Sequence, residues 1–438
     1  MKIPAKHITG WKATIAVSMS NYIEAGSIIA IATSMGFWQK SFMLSNGQVG
    51  MLAAFSANAF GAAIGAIIGG PLCDKYGRKF IYTYDLIIYM IGALLATFSL
   101  NFPMLMTAFL LTGLAVGAGV PAGWTYIAEQ APAGERAKHV GTAQLAWSIG
   151  PLIGFALAAA LVPLGLIGSR LIFAHLFVIA FVTWWIRQGL DESAIWKESK
   201  EAPQKISTLR SMRTLFTRKA NLTALLFLFL VYGLWNLVAG QAGIFMPRIY
   251  ASAGISSVVQ QDLLQILVWG VTVAVTYFGF MKYADRLPRR WLYIGGAALG
   301  IIAWLILVFA HGTLPMLIAF AILWGASSGL GAQAFYAVWT SELFATQYRA
   351  GAQGVLFFAV RFITGLLSYA FPTILATRGV PFVGKLLIVF LSAALLIGGI
   401  WAPRTQGKTL SEIELDRYGI DLDGEGPDAP SLAPSTTY

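Results

Sequence analysis

Two ionisable residues stand in the middle of long apolar runs, where charge is expensive. Glu24 follows an apolar stretch from about residue 12, and Arg361 one from about residue 350. At the α-helical rise each lies roughly 16–18 Å along its helix, near a bilayer midplane. An ionisable group there costs at least about 2.5–3.5 kcal/mol, which makes both functional candidates. The Glu24 carboxylate, set in Asn21-Tyr22-Ile23-Glu24-Ala25-Gly26, can pick up and release a proton. Its bland alternative is a packing role, hydrogen-bonded to Asn21 or Ser20. A guanidinium stays charged, so Arg361 has three options: it pairs with Glu24, binds a substrate carboxylate bidentately, or snorkels onto carbonyls. His175 can relay protons, although a lone histidine on an apolar helix is more often structural. Asp85 follows Lys79 closely and is expected to pair near the membrane face. Amides and aromatic rings suit a hydroxylated ligand, by hydrogen bonds and stacking. The candidate pocket is Tyr22, Trp124, Gln144, Trp147, Trp235, Asn236, Gln241, Gln333, Tyr336, Trp339 and Arg361, each of which could instead belong to an interfacial belt or a helix contact.

These residues need helices that cross a bilayer. The chain has 438 residues, 57% hydrophobic and 11% charged, where soluble domains carry about 25% charged residues. The apolar runs do not alternate with period two, which argues against a β-barrel. Interruptions by Gly, Pro and charge divide the chain into twelve expected spans, each near the 20 residues a crossing needs. They lie near 12–34, 48–73, 80–100, 103–127, 138–163, 168–187, 220–246, 261–284, 290–311, 314–340, 350–377 and 382–402. The first is read as a retained helix rather than a signal peptide. The net charge is +11, and the bases cluster in alternate loops, around Lys12, Arg78, Arg136, 187–219, Arg289, Arg349 and Arg404. That asymmetry expresses topology, with both termini cytoplasmic, and not a nucleic-acid surface. The one cysteine, Cys73, excludes an intramolecular disulfide. With no metal-ligand cluster, nucleotide loop or Cys/His nucleophile pattern, neither enzyme, metal nor cofactor is expected.

Residues 188–219 form a polar linker between six spans and six. It is either an irregular tether or a carrier of a short amphipathic helix around Ile206–Leu215. The expected division is 1–187 as one six-helix bundle, 220–402 as another, and 403–438 as a tail whose end from 420 is disordered. An internal repeat supports duplication. Asp74-Lys75-Tyr76-Gly77-Arg78-Lys79 follows the second span and Asp285-Arg286-Leu287-Pro288-Arg289-Arg290 the eighth. Glu129 and Arg136 follow the fourth, Glu342 and Arg349 the tenth. Flexing points are expected at Gly113, Gly117, Gly119 and Pro121, at Gly150-Pro151, and at Gly325, Gly329 and Gly331.

The glycine-aspartate-base loop at 69–79 resembles the signature between the second and third helices of the major facilitator superfamily. Tyr126 to Pro132 with Arg136, Ser341-Glu342-Leu343-Phe344 with Arg349, Asp191-Glu192-Ser193, and Pro403 to Ile413 resemble loops of its sugar-porter branch. The resemblance implies an all-α fold of two six-helix bundles that transports by alternating access. It also implies a cytoplasmic gate of salt bridges made by Asp74, Arg78, Glu129, Arg136, Asp285, Arg286, Glu342 and Arg349. Glu24 matches the first-helix acid of sugar porters and is assigned proton coupling. The pocket departs from the hexose-binding version. Phe109 stands where the fourth-helix arginine is expected and Pro151 replaces the fifth-helix glutamine. Leu234-Trp235 fall near the paired glutamines of the seventh helix, and Ala332 near the tenth-helix tryptophan.

The expected function is proton symport of a sugar, polyol or cyclitol, by a monomer in a bacterial inner membrane. An organic acid or sugar acid is the alternative substrate. A facilitator without coupling and a transporter-like nutrient receptor are further alternatives.

Overall fold

The computed structural model describes residues 8, 10–194, 196–197, 208–309, 313–345 and 349–418. The expected disordered end lies outside these residues, as does most of the linker. The first half of the chain forms α1 (Gly10–Ser41), α2 (Asn46–Ala54), α3 (Phe60–Tyr76), α4 (Arg78–Thr97), α5 (Phe102–Gln130), α6 (Arg136–Leu161) and α7 (Leu166–Arg187). After the linker come α8 (Thr208–Thr217), α9 (Lys219–Ser252), α10 (Val258–Val275), α11 (Arg289–Phe309), α12 (Leu314–Gly329), α13 (Ala332–Leu343), α14 (Arg349–Trp401) and α15 (Leu410–Tyr418). Helix α8 occupies much of the stretch expected to be amphipathic and packs against α9, α3 and α14.

Ten helices among the described residues are long and apolar enough to cross a membrane. They differ from the twelve expected spans in two places. The run 48–73 is interrupted at residues 55–59, between α2 and α3. There the Ser56 hydroxyl donates to the carbonyl of Ala53 (2.7 Å) and accepts from the amide of Asn58 (3.1 Å). A serine that takes over backbone bonds in this way competes with the helix. The last two expected spans are two helices that meet at a kink and are named together α14; the kink is at Gly379, with φ 71° and ψ 177°. An L-residue rarely adopts that φ, and glycine does so without steric cost; Pro381 follows.

The bend reverses the chain. Before it, Gly351 lies by Asp74, Gly354 by Ala66 and Gly365 by Phe60, so α14 runs antiparallel to α3. After it, Gly384 lies by Val308 and Gly398 by Tyr293, antiparallel to α11. Both ends of α14 therefore return to one end of the molecule. The chain's first and last described residues are at that end too. Ile8 donates to the carbonyl of Gly189 (3.1 Å), and the Tyr418 hydroxyl donates to Asn221 (2.7 Å).

Helices α3 and α5 approach closely because small residues line their contact. A Cβ on Gly65 would lie 2.1 Å from the Leu114 carbonyl oxygen, and one on Gly117 2.0 Å from that of Ala62. Helix α12 ends at Gly329 and α13 restarts after Gly331, so the expected span 314–340 is broken at one of its anticipated flexing points.

Candidate functional site

The centre of the molecule is built around one ion pair. Glu24 on α1 and Arg361 on α14 are 0% and 1% exposed, and the guanidinium donates to the carboxylate across the two halves of the chain. The indole of Trp147 on α6 donates to the other Glu24 oxygen (3.1 Å). Arg361 also donates to the backbone carbonyl (3.2 Å) and side-chain oxygen (3.3 Å) of Asn58, and its guanidinium sits 4.6 Å over the Phe357 ring. Asn58 lies in the interruption between α2 and α3, whose non-helical backbone frees a carbonyl to accept from a cation. Its amide nitrogen donates to the Gly240 carbonyl (3.3 Å), which ties it to α9.

Beside the pair lies a central cavity of about 10 Å³, lined by Asn58, Trp147, Trp235, Asn236, Gln333 and Arg361 with alanine, glycine and isoleucine residues. That is roughly room for one water, so the structure is closed around its centre. A neighbouring cavity shares Trp147 and Trp235 and adds Gln144, Gln265, Trp269 and Ser328. Among the described residues, the indole nitrogens of Trp235 and Trp269 and the Tyr336 hydroxyl are buried without a hydrogen-bond partner.

The expected pocket residues divide into groups. Trp147, Trp235, Asn236, Gln333 and Arg361 line the central cavity, and Gln144 lines its neighbour. Tyr336 stacks on Tyr232 (4.0 Å between ring centroids) and meets Trp124 edge-on (5.7 Å). Trp124 donates to Asn21 (3.1 Å). The Gln241 amide donates to Ser368 (3.1 Å). Tyr22 is paired with His175 (3.3 Å). Trp339 is set apart from both cavities, packed among Phe227, Tyr293 and Phe335. Phe109, where an arginine was expected, joins Trp38 and Phe173 in an aromatic cluster. Asp85 faces Arg187 at 4.0 Å, a partner from α7 and not from its own loop.

At the end where the chain's termini meet, charges form a second, larger network. Arg78 donates two bonds to Glu129 (2.6 and 3.2 Å), and Arg349 from the other half reaches the same carboxylate at 3.5 Å. Glu342 is its counterpart, accepting from Arg289 (2.8 Å) and from Arg136 of the other half (2.9 Å). Arg286, expected in this network, is exposed; Arg289, one turn onward, makes the contacts instead. The two loop aspartates cap helices of the opposite half. Asp74 accepts from the amide of Gly351 (2.6 Å) at the start of α14, and Asp285 from those of Ala137 (3.2 Å) and Lys138 (3.0 Å) at the start of α6. Each carboxylate faces the positive end of a helix dipole. Glu192 caps α4 through the amides of Arg78 and Lys79 (both 3.0 Å), and Ser193 donates to Glu129 (2.6 Å). On the tail, Thr409 and Glu412 form a reciprocal cap; those bonds hold the Glu412 carboxyl below its ordinary range.

The chain as a whole has counterparts among known proteins. The family model described as Major Facilitator Superfamily matches residues 13–281, and that described as Sugar (and other) transporter matches residues 187–416. The chain belongs to the major facilitator superfamily. Within this superfamily it falls in the sugar-porter branch, and it is a multi-pass membrane transporter, not an enzyme. It is 40% identical over 413 residues to the minor myo-inositol transporter of Bacillus subtilis (strain 168), covering 93% of this chain and 94% of that protein. A cis,cis-muconate transport protein of Acinetobacter baylyi (strain ATCC 33305 / BD413 / ADP1) is 26% identical, covering 78% of this chain and 83% of that one. A solved major facilitator proton:xylose symporter shares the fold, with a TM-score of 0.76 at 18% identity over 92% of this chain and 98% of that one.

Asn58 and Arg289 went unselected in the sequence. Asn58 carried a signal, as the amide of Ser56-Ala57-Asn58 inside an apolar run. Arg289 was visible within its loop but could not be ranked above Arg286 without knowing where α11 begins.

Proposed function

We propose that this protein is a proton symporter that takes up a small uncharged polyhydroxylated metabolite, a sugar, polyol or cyclitol, by alternating access. It acts as a monomer in the inner membrane of a bacterium. It crosses the membrane twelve times, counting α2 with α3 as one crossing and the two arms of α14 as two. Both termini are cytoplasmic. Residues 1–187 and 220–402 are the two six-helix bundles, and residues 188–219 connect them; residues 403–438 are a cytoplasmic tail.

The observation that carries this reading is the Glu24–Arg361 pair, which joins the two halves at the cavity. The guanidinium is already neutralised there, and the lining around it is uncharged amide and indole, a chemistry suited to hydroxyl groups. Protonation of Glu24 removes the charge that holds Arg361 and leaves the guanidinium on Asn58, loosening the tie between the halves. The paired arginines on Glu129 and Glu342 close the cytoplasmic side in this state. The myo-inositol transporter likeness supports a cyclitol within the class.

One observation favours an organic acid as the second reading. Arg361 keeps a buried Nε–H with no partner among the described residues, and a substrate carboxylate could take it once Glu24 is protonated.

The test is substrate-induced alkalinisation by de-energised cells expressing the protein, across cyclitols, polyols, sugars and carboxylates. A signal with a neutral ligand, absent in Glu24→Gln, is the expected result. A signal with acids alone, absent in Arg361→Ala, moves the protein to the second reading. Labelled uptake without any alkalinisation removes proton coupling.

A further inference from the structure

A second buried acid lies at the other end of the molecule. Asp262 is one turn into α10, which begins at the end opposite the charged network because α9 runs up from the linker. It is 2% exposed, and its Oδ2 has no hydrogen-bond partner among the described residues. It borders a cavity of about 10 Å³ whose other wall comes from the N-terminal half: Thr33 and Phe37 on α1, Ser169 and Ile172 on α7. The carboxyl is therefore enclosed between the two halves, and only while they are together at this end.

No ionisable group other than Asp262 borders that cavity among the described residues. The ionisable side chains at this end on neighbouring elements are Lys40 on α1, Arg170 on α7, and Arg248 and Tyr250 on α9. Lys40 is absent from the lining. Arg170 donates to the Ser99 carbonyl (2.7 Å), Arg248 to Gln39, and Tyr250 packs edge-on against Phe320. Helices α6 and α12 present no acid or base at this end. Further along the same face of α10 come Gln265 and Trp269, spaced three and four residues apart. Both border the cavity that contains Trp147, the residue bonded to Glu24.

We propose that Asp262 is a second proton-binding site, whose protonation from the outer side is required for the outer halves to close over the substrate. The inference rests on the alternating-access symport reading. With the outer side open, Asp262 faces water and keeps its charge at little cost. Closing removes that water and supplies no cation in its place. Burying a lone carboxylate is costly, so a proton taken up by Oδ2 must accompany closure. By linkage, closure and proton binding at Asp262 then favour each other. The proton returns to the outer solution when the halves part again; Glu24 remains the site at the substrate.

The test is labelled uptake by cells as a function of outer pH, for wild type, Asp262→Asn and Asp262→Glu. Wild-type uptake is expected to fall as the outer medium becomes alkaline. Asp262→Asn, neutral at every pH, should keep only the part of that fall that belongs to Glu24, so that it declines less steeply and exceeds wild type in alkaline medium. Asp262→Glu should keep the fall with a displaced midpoint. A damaged fold lowers uptake at every pH and cannot raise it in alkaline medium. An Asp262→Asn profile parallel to wild type, or an Asp262→Glu midpoint unmoved, overturns the proposal. The Glu measurement decides alone if the Asn variant fails to reach the membrane. A wild type indifferent to outer pH also overturns it. The symport reading is judged separately, from substrate-induced alkalinisation and its loss in Glu24→Gln.

Discussion

Glu24 and Arg361 neutralise each other in a place where neither survives well alone. Removing one member of a buried pair typically costs about 3–5 kcal/mol, because the survivor is left uncompensated, while replacing both by apolar groups of similar volume is often neutral. Glu24→Leu and Arg361→Met should each lower the melting temperature of the purified protein, and the double variant should recover most of the loss. Additive losses would mean that the two side chains do not depend on each other. Asn58→Ala removes one acceptor from Arg361 and the tie to Gly240, and is expected to reduce transport while sparing membrane insertion. The charged pair was legible in the sequence because a charge in an apolar run has few innocent explanations. Asn58 was not, since a neutral amide is cheap enough to be overlooked there. The aromatic residues were legible as a set but not as a geometry. Tyr336 and Trp339 share α13, yet one stacks on Tyr232 and the other packs away from the cavity. A helix buried on all sides gives no apolar stripe from which to tell its faces apart.

Among the elements, α14 makes a sharp claim about backbone. A Cβ at Gly379 would meet nothing closer than Pro381 Cδ at 3.7 Å, so Gly379→Ala tests conformation without a clash. A cost of about 1–3 kcal/mol is expected for holding an L-residue at that positive φ with an extended ψ, read as a lower melting temperature. The contact between α3 and α5 makes the opposite claim. At Gly117 the obstacle is the Ala62 carbonyl, part of a neighbouring backbone, so Gly117→Val should force the helices apart and prevent accumulation in the membrane. Composition showed that helices of this length were needed and nearly where they lay. It did not show the interruption at 55–59, which depends on a serine choosing a local backbone partner over the helix.

For the molecule as a whole, the network at the linker end joins the halves twice over, with each half contributing a carboxylate for the other's arginine and a cap for the other's helix. Cys73, the single cysteine, is buried beside it, with Arg78 donating to its carbonyl at 3.5 Å. A membrane-permeant maleimide should label it slowly in wild type. Glu342→Gln, remote in sequence and in the other half, should accelerate labelling by at least about tenfold, the shift that ~1.4 kcal/mol produces. Unchanged labelling would show that this network does not hold the halves together. The pairing of loop acids with loop bases was visible in the duplicated motifs. Which base meets which acid was not, because that depends on how two halves far apart in sequence are brought face to face.

The central ion pair also imposes an order of events on the making of the protein. Glu24 and Arg361 are 337 positions apart, and chains grow at roughly 5–20 residues per second. The carboxylate is therefore threaded into the bilayer roughly 17–70 s before its arginine exists. Throughout that interval the acid of α1 is without the cation that compensates it in the finished fold. That one contact therefore favours sheltering of the early helices until α14 is synthesised.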